Sequence, residues 1–165
     1  MYNYLIQNAR VLDGSGAPAF PADVAVQGGV IAAVGQLGNA PAAHVIDAAG
    51  RYLTPGFIDV HRHADGAIFL PDFGCSELAQ GLTTILNGNC GLSLAPVRGA
   101  YREALLQYLA PIAGGLSEGL DVSSLAAYQK QLQTVPLRLN GGILVGMGTL
   151  RACVTGFEDR DLTDG

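Results

Sequence analysis

Two histidines, His61 and His63, stand two residues apart in the run PGFIDVHRHADG, residues 55–66, directly behind a short and almost wholly apolar stretch, GFIDV, 56–60. If that stretch is a buried strand, the period of two along it turns both imidazoles to one face and Arg62 to the other. Imidazoles paired in this way can grip one metal ion. Both residues could instead be packing or surface groups at a strand–loop junction. Against that stands the scarcity of histidine, three in the whole chain with two of them here. Asp65 follows two residues on, where its carboxylate could orient a ligand from behind or bind solvent. His44 has no such company and is expected to be structural or exposed.

The second candidate lies in TTILNGNCG, 83–91, where a β-branched apolar run gives way to Cys90. In a parallel sheet the C-terminal ends of neighbouring strands share one rim, and sites are built there. Cys90 would then emerge beside His61 and His63, one β-α-β unit away. Two imidazoles and a thiolate are three ligands of the kinds zinc accepts, leaving a fourth position for a water that would act as nucleophile. A lone cysteine is otherwise most often a small buried packing group. That is the expectation for Cys75 and Cys153, neither of which ends a strand-like run.

What must position these groups is an α/β fold with a β unit in front of it. Residues 2–54 alternate apolar and polar residues in short stretches, separated by Gly14, Gly16, Pro18, Gly28-Gly29 and Gly50, which predicts a small antiparallel β unit with a hairpin at Gly28-Gly29. From Pro55 onward the texture changes. GFIDV is followed by a helical turn at SELAQ (76–80), the strand LTTILN (82–87), and a helix that lines up Tyr101, Leu105, Tyr108, Leu109 and Ile112. A further helix after Ser123 carries Leu125, Tyr128 and Leu132, and LRLNGGILVG (137–146) reads as another buried strand. Strands alternating with helices make a parallel sheet. A closed (β/α)8 barrel takes typically ~250 residues. About three of its strands are expected here, and the polar ending FEDRDLTDG fits a cut inside a longer protein.

Composition excludes several other classes. The chain has 165 residues, 49% hydrophobic and 14% charged, so it can bury a core and is not a disordered tail. A net charge of -5 with nine basic residues leaves no footprint for nucleic acid or an anionic membrane surface. No apolar run approaches the ~18–20 residues of a membrane span and no secretory leader is visible, so a cytoplasmic protein is expected. Three cysteines at irregular spacing do not make a disulfide framework.

The run PGFIDVHRH (55–63) together with ELAQGLTTILNGNCGLSLAP (77–96) resembles the metal-dependent amidohydrolase superfamily, and within it the D-aminoacylase or N-acyl-D-amino-acid deacylase branch. The resemblance implies residues 1–54 as a small β domain, part of a β-sandwich, and 55–165 as the first strands and helices of a truncated (β/α)8 barrel. It implies His61, His63 and Cys90 as ligands for one or two divalent ions, zinc foremost. Cys90 takes the place of the carboxylated lysine that bridges the ions in hydantoinase and dihydroorotase relatives. The chain's one lysine, Lys130, lies in the amphipathic helix AAYQKQLQ and not at a strand end, which favours the cysteine branch.

The implied reaction is hydrolysis of the amide of an N-acyl-D-amino acid, a small-molecule substrate. The catalytic aspartate, the remaining metal histidines and the basic groups that bind the substrate carboxylate are expected beyond residue 165, so the chain alone is expected to be inactive. The alternatives are opening of a cyclic amide, or a non-catalytic truncated chain held in a homo-oligomer or joined to a missing C-terminal portion. Two positions depart from the family pattern: Arg62 stands where relatives carry smaller residues, and Met147 lies in the segment 144–151 where relatives carry a histidine.

Overall fold

The computed structural model describes residues 1–162, so the last three residues of FEDRDLTDG lie outside the described residues. Two units divide the chain, Met1–Pro55 and Gly56–Gly165. The first is a sheet of β1 (Tyr2–Val11), β2 (Phe20–Gln27), β3 (Val30–Gly35) and β4 (Ala42–Asp47) in the order β3-β2-β1-β4, with β5 (Tyr52–Leu53) also on β1. Gly28 and Gly29 turn the β2–β3 hairpin with φ of 61° and 80°, the positive values that a tight turn of matching twist requires. Ala9, Val11, Ala22, Val24 and Ala48 form its small core.

The wholly antiparallel expectation for this unit is corrected. β4 and β5 run parallel to β1, with Tyr4 opposite His44 and Arg10 opposite Tyr52. Alternation of apolar and polar residues reports which face is covered, not which way a neighbour runs, so the sequence pattern could not separate the two. Parallel pairing requires a crossover in place of a hairpin between β3 and β4. Asp23 fastens it: Oδ2 accepts from the amides of Leu37 (3.0 Å) and Gly38 (3.1 Å), while Oδ1 accepts from the Asn8 amide at 3.0 Å. Those donors, Asn8 first, hold the Asp23 carboxyl below its usual range.

The second unit carries β6 (Phe57–Asp59), β7 (Leu82–Asn87) and β8 (Asn140–Ile143), all parallel in the order β6-β7-β8. Helix α1 (Cys75–Ala79) lies between the first two strands, α2 (Arg102–Ala113) and α3 (Leu125–Thr134) between the second two, and α4 (Met147–Thr155) follows. Leu105 and Leu109 of α2 and Tyr128 of α3 pack with Leu94, Val97, Val122 and Ala152. Ile85 of β7 packs with Ala64, Ile68 and Leu139. Ser124 caps α3, its side chain accepting from the Ala127 amide. The Tyr128 hydroxyl donates to the backbone carbonyl of Asp65 at 2.8 Å, tying α3 to the segment behind the histidines.

Three expectations fail here. β6 is not buried: Phe57 and Ile58 are 57% and 63% exposed, and Val60 just past it 63%, because among the described residues this edge strand has a partner on one side only. The strand foreseen over 137–146 shrinks to four residues at the other edge; Leu139 packs beneath the sheet, while Leu144 and Val145 leave it exposed. Cys75, expected to pack, is exposed at the start of α1. Among the described residues no helix is long and apolar enough to cross a membrane.

Replacing Tyr128 by Phe strands the buried Asp65 carbonyl without its donor and is expected to cost about 1–3 kcal/mol. The check is the midpoint of thermal unfolding followed by circular dichroism, which should fall by several degrees.

Candidate metal centre

The register of β6 on β7 decides what meets at the rim. Ile58 sits opposite Thr84 and Asp59 opposite Ile85, so the residues leaving β6 and those leaving β7 run out side by side. His61 and His63 leave the first strand end, Cys90 the second. Their ligand atoms all lie within 4.8 Å of one another. His61 Nε2 is 3.1 Å from Cys90 Sγ, and the two imidazole rings stand edge-on with centroids 5.7 Å apart. His61 and Cys90 are exposed and His63 is half-buried, so the cluster faces solvent. His44, by contrast, is exposed on β4, its ring stacked on Tyr4. Lys130 is exposed on α3, and Met147 is exposed at the start of α4.

Local chemistry explains why the loops take these paths. In the NGNCG turn, Gly88, Cys90 and Gly91 all have positive φ, of 77°, 56° and 74°. For Cys90 this conformation costs on the order of 1 kcal/mol, the kind of strain that functional loops retain. Gly88 has a second reason to be glycine: a Cβ there would lie 2.0 Å from the Leu144 carbonyl oxygen.

Two asparagines then stitch the histidine segment to this turn. Asn87 Oδ1 accepts from the Ala64 amide at 3.0 Å, and Asn89 Nδ2 donates to the carbonyls of Leu86 (2.8 Å) and Arg62 (3.3 Å). The Arg62 amide donates back to the Leu86 carbonyl at 3.1 Å. Each histidine therefore flanks a residue whose main chain is fixed to β7. Neither asparagine was picked out from sequence. The signal was there, since a fully buried Asn87 closing an apolar strand must spend its amide on something.

Asp65 behaves differently from the sequence expectation. It is only 1% exposed, so it binds no bulk solvent, and its Oδ2 accepts from the Leu94 amide at 3.0 Å. Burial pushes its carboxyl above the usual range, opposed by the Leu94 amide, other backbone amides and the nearby His63. Burial, and then the Asp65 charge, likewise raise the Tyr128 hydroxyl. Cys153 is half-buried against the α2–α3 core, its thiol donating to the Pro96 carbonyl at 3.4 Å.

Two nitrogen donors and one sulfur donor form a borderline-soft set suited to zinc. Around a tetrahedral zinc such donors stand about 3.5 Å from one another, and the His61–Cys90 separation and the spread of the cluster bracket that value. A Gly88→Ala substitution is expected to displace the turn and cost more than about 3 kcal/mol, since both its φ and its neighbour oppose a side chain. Urea unfolding of the variant checks this.

Known proteins resemble the chain in sequence and in fold. Residues 44–105 match the amidohydrolase family. N-acyl-D-aspartate deacylase of Alcaligenes xylosoxydans xylosoxydans is 38% identical over 98% of this chain and 32% of its own length. A solved D-aminoacylase with a binuclear metal centre superposes with a TM-score of 0.80 at 35% identity, over 99% of this chain and 34% of that one. N-acyl-D-glutamate deacylase from Bordetella bronchiseptica, solved with zinc and a phosphonate mimic of the tetrahedral intermediate, gives a TM-score of 0.72 at 35% identity over 91% of this chain and 30% of that one. The 165 residues thus span about a third of the length of these relatives. The amidohydrolase family matches within residues 44–105, and the chain as a whole is similar in residues and in fold to the N-terminal portion of these deacylases.

Proposed function

We propose that this chain supplies the first-strand histidines and the cysteine of a zinc centre that hydrolyses the amide bond of N-acyl-D-amino acids, with cytoplasmic small-molecule substrates. The observation that carries the reading is the convergence of His61, His63 and Cys90 at adjacent ends of parallel strands in a chain so similar to D-aminoacylases. His61, His63 and Cys90 would hold the ion. Bound zinc supplies a Lewis acid for the acyl carbonyl and a water of lowered pKa.

The chain's own residues do the rest of what is assigned here. Asn87 and Asn89 hold the histidine segment at a fixed distance from the Cys90 turn. Asp65 and Tyr128 fix the backbone behind it. Among the described residues no carboxylate joins the donor cluster, so no group in it is placed to accept the proton of an attacking water.

The chain is expected to bind about one equivalent of zinc, measured by competition with a chromophoric chelator, and to show no turnover of N-acetyl-D-amino acids. Cys90→Ser and His63→Ala should each weaken zinc by at least tenfold, a loss typical of removing one ligand or its support. Zinc binding unaffected by either substitution would rule out the assignment. Assays on hydantoin and dihydropyrimidine, run in parallel, test the cyclic-amide alternative.

A further inference from the structure

We propose that Arg62 is a positioning residue for the metal donors, clamped between Asp59 and Glu77 so that the His61–His63 turn is held against α1. The inference rests on the zinc reading above but concerns a side chain that touches none of the three donors.

Arg62 follows β6 in the chain, and its side chain reaches α1 and not the three donors. Its Nη2 pairs with Glu77 Oε1, its Nη1 lies 3.6 Å from Asp59 Oδ2, and its guanidinium sits 6.0 Å from the centroid of the Phe73 ring. Glu77 is 7% exposed in the first turn of α1, and Arg62 is its paired cation among the described residues. The Glu77 side chain is 10% exposed and that of Arg62 36%, so the pair is half-buried: solvent screens the guanidinium in part, and removing it leaves a mostly buried carboxylate without its cation.

The main chain of Arg62 is already fixed to β7 and to the Cys90 turn through Leu86 and Asn89. With the side chain fixed to α1 as well, the residue between the two histidines is held on three sides. An imidazole pair just past an edge strand with little apolar burial has few other restraints. Partners that orient ligands from behind typically change metal affinity 10–100-fold when removed.

The test uses the 165-residue chain, Arg62→Met, and the double variant Arg62→Met/Glu77→Leu, which removes the stranded charge along with the clamp. Zinc affinity, the visible absorption of the cobalt-loaded protein, thermal midpoint, and metal-free hydrogen exchange over residues 61–64 are measured on each. The double variant is expected to melt near the unmodified chain while binding zinc about tenfold more weakly, with an altered cobalt spectrum and faster exchange at 61–64.

Zinc affinity and cobalt spectrum restored together with the melting temperature would make the pair a brace for the fold alone and overturn the proposal. If Arg62→Met does not fold, the double variant decides. If the unmodified chain binds no zinc, the metal reading itself falls, and exchange rates unchanged by the substitutions would then overturn the clamp separately.

Discussion

Pairing of β6 with β7 in parallel is the constraint on which the rest of the second unit depends. An antiparallel partner, or a register shifted along the strand, would send the Cys90 turn to another level and leave two histidines alone. Yet β6 offers little apolar area to secure that pairing, since Phe57 and Ile58, its two apolar side chains, are more than half exposed. Apolar burial at ~25 cal/mol per Å² therefore contributes little at this edge. Hydrogen bonds carry the load instead: the strand ladder, the Arg62 amide on Leu86, the asparagine amides and the ion pair to α1.

The apolar core lies a layer further back and reaches the rim through polar atoms. Tyr128, fully buried among the α2 and α3 side chains, delivers its hydroxyl to the Asp65 carbonyl, while the Asp65 carboxylate receives the Leu94 amide. Helix packing is thereby converted into the position of a loop. The arrangement is costly, because both Asp65 and Tyr128 are held far from water, and such networks are tolerated only when their members are satisfied. Asn87 is the exception among the described residues: its Nδ2 is buried without a partner while its Oδ1 serves Ala64.

Much of this was legible in the residues. The strand at 82–87, the helices around Leu105 and Tyr128 and the glycine hairpin follow from periodicity and turn chemistry; rim position brings the histidine pair beside Cys90, although both histidines stand past the strand whose period was expected to align them. What could not be read is instructive. Apolar runs at 56–60 and 137–146 carry the composition of strands covered on both faces, but coverage is decided by neighbours and not by the run itself. Direction in the first sheet was hidden for a similar reason, since alternation is the same for parallel and antiparallel partners. Asn87, Asn89 and Glu77 act through contacts far along the chain, 15 to 27 residues away, which no local pattern encodes.

The two asparagines grip main-chain atoms, the carbonyl of Arg62 and the amide of Ala64. Any residue except proline would offer the same amide at 64, so the side chains at these two places are chosen by what lies around them: a core that covers Ala64 and a helix whose Glu77 meets Arg62. Inheritance at the two positions should therefore track that core and that helix, not the asparagines.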